Sequence, residues 1–353
     1  MAKTSYSVNT REAYVHLRTI LTANLVAFLQ SSPGMGKSSL AKKLCKEYNL
    51  VPIDLRLTGA DRTDFNGLPD ISGDIAIYKQ FEDSFPTVDS VQKEGTNGWL
   101  VILDEFPSAP RDVMAASYKL ILDRMIGNKK LHENVFILLA GNLASDKAIV
   151  NPIGSALQSR VIHIFLKSDY SVWLEDVAYV TQYDPRIIAF INMYPDKLNN
   201  FNPEHKEATF ACERTWEFVN DLLFALRDDN NKITPVTTAH TPLFAGAIGE
   251  GIALEFVQFC GIFEQRIDIK QILQSPTNAP IPQTVALKWS TITSLVSHAI
   301  DENLDALTTY ANRFDMALRM VFYRSLLISK PSVRNHPKFQ EAMVHLAQVK
   351  NSV

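Results

Sequence analysis

Four short apolar runs divide the first 166 residues: Leu25–Gln30, Trp99–Leu103, Val135–Ala140 and Val161–Leu166. None alternates polar and apolar residues, so none suits a strand with one face in water. A run that is apolar on both faces suits a parallel strand covered by helices on either side. Val51–Leu57 reads as a further strand in the same series. Helical patterns fall between the runs. Lys37–Tyr48 sets Leu40, Ala41 and Leu44 on one face, and Asp112–Met125 has helical spacing behind Pro110. Strand–helix alternation of this kind predicts an α/β fold built on an open parallel sheet.

The texture changes near residue 168. Ser168–Val180, Pro185–Met193, Thr215–Leu226, Val285–Ile300, Leu304–Ser329 and His336–Lys350 read as helical, and strands become scarce. The polar stretch Arg227–Pro242 interrupts them. The 353 residues suffice for two or three domains and a sizeable core. The expected division is an α/β domain over 1–166 and helical parts over 167–262 and 263–353. No repeat or low-complexity segment is visible.

Charge narrows the partners. Lys and Arg number 35 against 38 Asp and Glu, a net −3, with no basic stripe. Binding through phosphate neutralisation usually needs one, so non-specific DNA or RNA binding is disfavoured. Cys45, Cys212 and Cys260 lie far apart, form no metal-binding pair and fit a reduced compartment. The start, MAKTSYSVNT, lacks the apolar core of a signal peptide. No run approaches the roughly 20 apolar residues that span a bilayer. A soluble cytoplasmic protein is expected.

The segment with most chemistry is Ser31-Ser32-Pro33-Gly34-Met35-Gly36-Lys37-Ser38, set between an apolar strand and a helix. That is the context of a P-loop. Small residues let backbone N–H groups turn toward a polyphosphate at the positive end of the helix. Lys37 can reach the β- and γ-phosphates, and the Ser38 hydroxyl can ligate Mg²⁺. The pattern's first glycine is Ser31 here, a small residue that the position tolerates. The second signal is Leu100–Leu103 followed by Asp104 and Glu105. Two acids at the tip of an apolar strand are costly unless something pairs with them. After a P-loop they read as a Walker B motif, with Asp104 toward Mg²⁺ and Glu105 as general base. Asn142 follows the third apolar run, Arg160 directly precedes the fourth, and Arg214 opens a later helix. Alone, these three are a turn residue and two surface charges. Beside a phosphate site, guanidinium groups stabilise the charge that develops on transferring oxygens.

This order of motifs resembles an AAA+ ATPase, and most nearly the MoxR-like branch. The resemblance is carried by Pro33-Gly34-Met35-Gly36-Lys37, by Asp104-Glu105-Phe106-Pro107-Ser108-Ala109-Pro110 and by Arg214-Thr215-Trp216-Glu217. Gly141-Asn142, and Val150-Asn151-Pro152 leading to Ser159-Arg160, add to it. It covers roughly residues 25–260. Ser31 and Cys212-Glu213 depart from the family pattern. The resemblance implies ATP and Mg²⁺ as cofactors, with Pro33, Gly34, Met35, Gly36, Lys37, Ser38 and Ser39 at the nucleotide. Ser38 and Asp104 would serve the metal, and Glu105 would be the base. Asn142 would take the sensor 1 role, and Arg160 would be an arginine finger offered to a neighbouring subunit. Arg214 would be sensor 2, on a helical lid over 167–262. A finger acting in trans implies a ring, by resemblance a hexamer. Ala60–Pro69 also resembles a family segment that faces a neighbour or the central pore, and Asp74–Lys79 alternates like a strand, so a hairpin insert near the pore and an ordinary surface loop with a short β-segment are both open here.

The function this implies is ATP hydrolysis (ATP and water to ADP and phosphate) coupled to remodelling of a separate protein. MoxR-like proteins resemble chaperones whose partners often carry a von Willebrand A domain. The second reading is a nucleic-acid motor or the ATPase of a defence or restriction complex. A nucleotide-binding scaffold without turnover is a third, disfavoured by Glu105, Asn142 and Arg160. His298, His336 and His345 read as ordinary histidines, not ligands.

Overall fold

The computed structural model describes residues 6–75, 77–81, 85–146, 151–229 and 233–350. Ala76 of the alternating Asp74–Lys79 stretch, Val150 of the Asn-Pro motif and residues 230–232 of the polar loop lie outside the described residues, as does the side chain of His345. The chain divides into two compact units. One runs to Ser168 and takes in Asn202–Glu204, and the other holds Asp169–Phe201 and continues from His205.

The first unit is a five-stranded parallel sheet. Its strands are β1 (Ala27–Ser31), β2 (Val51–Arg56), β3 (Trp99–Asp104), β4 (Val135–Asn142) and β5 (Ile162–Phe165), in the order β2-β3-β4-β1-β5. The expected α/β sheet is therefore present, and its inner strands are the most apolar runs. β3, β4 and β1 are buried along most of their length, whereas β2 alternates half-buried and exposed residues as an edge strand does. Successive residues of an inner strand feed opposite faces. Leu100 and Ile102 pack with Ala27, Leu29 and Leu138 against α1 (Thr10–Thr22) and α2 (Lys37–Tyr48). Val101 and Leu103 pack with Phe28, Ile137 and Leu139 against α3 (Arg111–Asp123). Each fully buried Leu, Ile or Val contributes about 1.5–3 kcal/mol, so this double-faced core anchors the inner strands whose ends carry the polar residues described below.

Several boundaries differ from the sequence reading. α1 was not anticipated, although Asn9 and Glu12 form a capping box ahead of Ala13, Tyr14, Leu17, Ile20 and Leu21. The third helix stops at Asp123 rather than Met125, because Met125–Ile126 pairs antiparallel with Lys129–Lys130 around Gly127. Among the described residues of the alternating stretch, Ile77–Lys79 is strand, paired antiparallel with Leu68–Asp70. At Gly67, where that hairpin starts, φ is +75° and a Cβ would lie 2.3 Å from the carbonyl oxygen of Lys79.

The second unit is helical: α4 (Pro185–Met193), α5 (Glu213–Ala225), α6 (Thr241–Ile248), α7 (Glu250–Glu264), α8 (Val285–Ser297), α9 (Leu304–Ala311), α10 (Met316–Ser329) and α11 (Pro337–Lys350), with shorter turns between. The expected continuous helix Leu304–Ser329 is broken, because Asp315 caps α10 by accepting from the Leu318 N–H. Ser168–Val180 is a short helix, Tyr170–Trp173, that widens into a π turn over Leu174–Ala178. The unit has two apolar clusters. Phe190, Trp216 and Phe256 centre one, and Tyr310, Phe322 and Tyr323 centre the other. No helix among the described residues is long and apolar enough to cross a membrane.

Candidate nucleotide site

β1, β3 and β4 end on the same edge of the sheet, and each hands the chain to a polar residue there. In open α/β sheets, ligands bind outside the carboxyl ends of the strands. β1 ends at Ser31, and the loop to Gly36 turns into α2. Gly34 and Gly36 both have φ of +75°, a conformation that a side chain resists, and Gly36 is the residue from which the helix starts. This backbone sets the first turn of α2, the positive end of the helix, at the sheet edge. Ser38 and Ser39 are exposed on that turn, Pro33 is half-buried, and Met35 is buried beneath the loop.

Lys37 folds back over the loop. Its Nζ donates to Ser31 Oγ at 2.9 Å and to Asn142 Oδ1 at 3.0 Å, and more distantly to the carbonyls of Ser31 (3.3 Å) and Ser32 (3.5 Å). Ser31 and Asn142 are cross-strand partners at the ends of β1 and β4. The structure thus brings together two residues 105 positions apart that the sequence placed in one site. Asn142 is the last residue of β4, which runs two residues past the apolar run Val135–Ala140.

β3 ends at Asp104. The backbone N–H of Glu105 donates to Asp104 Oδ1 at 2.8 Å. Glu105 itself has φ of +56°, a strained conformation for a residue with a side chain, costing on the order of 1–3 kcal/mol. Its carboxylate accepts the Thr58 hydroxyl at 2.5 Å and lies 3.6 Å from Arg56 Nε. Thr58 and Arg56 were missed in the sequence. Their only signal is the register that sets Arg56 opposite Asp104, and strand order is needed to see it. Asp54, on the same edge strand, has its carboxyl held above the usual range by desolvation and then by the charge of Asp104.

Two contacts fix the segment after Glu105. A Cβ on Gly141 would lie 2.2 Å from Pro107 Cδ, so only glycine lets β4 pass this close beside Asn142. Asn151 donates from its backbone N–H to the Pro107 carbonyl at 2.6 Å and from Nδ2 to the Ala109 carbonyl at 2.8 Å. The Gly154 N–H donates to the Tyr118 hydroxyl at 3.1 Å, from α3. These struts lead into the short helix Ser155–Gln158 and to Arg160, which is exposed and donates from Nη1 to the Ala156 carbonyl at 3.0 Å. Arg214 belongs to the other unit, exposed on the first turn of α5. There Cys212 stands before the helix, and its N–H donates to Thr215 Oγ1 at 2.8 Å.

The donor set fits a nucleotide with Mg²⁺. The glycine-shaped loop and Lys37 suit phosphate oxygens, and the Ser38 hydroxyl and the Asp104 carboxylate are hard oxygen ligands of the kind Mg²⁺ takes. Among the described residues, no group of three or more His, Cys, Asp and Glu is arranged to hold a metal.

No protein-family model and no curated protein matches the chain. Among solved structures it is similar to "a putative ATPase from Cytophaga hutchinsonii", with 16% identity over 97% of this chain and 90% of that one, at a TM-score of 0.36. A superposition that loose maps no residue of that protein onto this one.

Proposed function

We propose that this chain is an ATP-hydrolysing subunit of an AAA+ ring, nearest in its motifs to the MoxR-like branch, and that it remodels a separate protein. One observation carries the reading. Lys37 and Asn142 meet at the carboxyl edge of a parallel sheet whose neighbouring strand ends at Asp104, with Glu105 next. Lys37 and the loop bind the phosphates, Ser38 and Asp104 hold Mg²⁺, and Glu105 accepts the proton of the attacking water. Mg²⁺ held by Ser38 and Asp104 would supply charge neutralisation for phosphoryl transfer. Asn142 orients the water. Arg160 serves the neighbouring subunit, and its exposure on the first unit is compatible with that role. Arg214 answers from a lid over 167–262, with 263–353 as an extension.

A protein client is favoured over nucleic acid by the net charge of −3 and by the exposed apolar side chains on and beside the hairpin: Leu68, Ile71, Ile75, Ile77 and Tyr78. A partner with a von Willebrand A domain is the candidate to test first.

The test is phosphate release by the purified protein with MgATP. Glu105→Gln should lower turnover about 10²- to 10⁴-fold while nucleotide binding persists. Unchanged turnover in that variant would end the assignment of Glu105. Mass photometry with a non-hydrolysed ATP analogue should give a ring, and a strict monomer removes the trans role of Arg160. Stimulation by DNA that falls steeply with salt would shift the client to nucleic acid.

A further inference from the structure

Position 31 is where the loop departs from its pattern, with serine in place of the usual first glycine. The side chain is not idle. Ser31 is fully buried, and its Oγ donates to the Ser32 carbonyl at 2.8 Å. With its proton directed there, the hydroxyl has its lone pairs free for a donor. Lys37 Nζ takes that place at 2.9 Å. The same ammonium bonds Asn142 Oδ1 at 3.0 Å, and Ser31 and Asn142 are held side by side by the β1–β4 ladder. The two bonds are shorter than those to the Ser31 and Ser32 carbonyls. Both acceptors are neutral, so they fix the cation without cancelling the charge a phosphate needs.

We infer that Ser31 is a positioning residue for Lys37: its hydroxyl and the Asn142 amide oxygen form a two-point cradle that sets the ammonium at the sheet edge before nucleotide binds. The inference rests on the nucleotide-binding reading above. Preorganisation of this kind lowers the ordering cost of binding, because a four-carbon side chain no longer has to be fixed by the ligand.

The test is a fluorescence titration with methylanthraniloyl-ATP of the full-length protein and of Ser31→Ala, Ser31→Gly, Asn142→Ala and the double variant Ser31→Ala/Asn142→Ala. Hydrogen bonds to charged groups are the stronger kind, and water offsets part of the loss at a half-open site. Ser31→Ala and Ser31→Gly should therefore each weaken binding roughly five- to tenfold. The double variant should lose more than the product of the single losses, because either oxygen alone still steadies the ammonium. A merely structural role at position 31 predicts losses that multiply. Thermal denaturation of each variant checks folding, and Ser31→Gly supplies the answer if alanine disturbs the buried site. Wild-type affinity in both Ser31 variants, or strictly multiplicative losses, overturns the cradle. A wild-type chain that binds no triphosphate instead removes the nucleotide reading itself, before any variant is compared.

Discussion

Each unit contains a polar cluster centred on a cation, and the two differ in how completely they close. In the helical unit, Arg186 is buried and grips Asp184 with Nε at 2.8 Å and Nη2 at 2.9 Å, while its Nη1 donates to the Thr234 carbonyl at 2.9 Å. Asp184 also accepts from the Arg186 backbone N–H, its own N–H donates to Asn220 Oδ1, and Arg227 approaches its second oxygen at 3.5 Å. A full charge answers a full charge, in a place water does not reach. In the sheet unit, Lys37 is half-buried and rests on neutral oxygens of Ser31, Ser32 and Asn142. A closed pair joins helices and has little left to offer a ligand. A cation steadied by dipoles keeps its attraction for an anion. Burial of charge alone therefore points to architecture, and partial burial with neutral partners points to chemistry.

The sharpest way to break this contrast is to remove each cation. Arg186→Ala leaves Asp184 buried without its bidentate partner, and should cost about 3–5 kcal/mol of unfolding free energy in urea. Lys37→Ala should change stability by no more than about 1 kcal/mol, yet lower turnover about a hundred- to a thousandfold. If the two variants lose similar stability, the distinction between a closed and an open cluster fails. A smaller effect is expected at Gly141. Alanine there forces its Cβ against Pro107, costing about 1–3 kcal/mol by overpacking. Because the shift falls beside Asn142, turnover should drop as well. Loss of stability with turnover intact would detach Gly141 from the site.

The smallest effect concerns thiols. Burial pushes the Cys45 thiol up to about 11 and raises that of Cys260 as well. At pH 8 both stay protonated, so labelling by a disulfide reagent should be slow in the native protein and fast once it unfolds. The linked stability is present below the unfolded pKa of about 8.5 and is lost as pH rises toward the folded value. Fast native labelling of Cys45 would mean that the α2 face of the core opens readily.

The sheet was legible because its inner strands need no partner to declare themselves: Trp99–Leu103 and Val135–Ala140 are apolar on both faces. The loop was legible because Gly34, Gly36 and Lys37 sit at fixed local offsets. What could not be read depends on strand order or on where a long side chain turns. Thr58 and Arg56 reach Glu105 only because β2 lies beside β3. Ser31 looked merely small, and its hydroxyl gained meaning when Lys37 folded back onto it. α1 is the opposite case, since the Asn9–Glu12 box and the spacing of Ala13, Leu17 and Ile20 were present in the chain and went unused.

The struts at Asn151 and Gly154 bear on how such a chain tolerates insertion. Both lie downstream of the connection over 143–150, and both tie the approach to Arg160 to α3 and the segment that opens it. The placement of Arg160 is thus inherited from Pro107, Ala109 and Tyr118, not from the number of residues between Asn142 and Asn151. Residues added or removed within 143–150 would be taken up between two anchored ends, leaving Asn142 at the end of its strand and Arg160 at its exposed post.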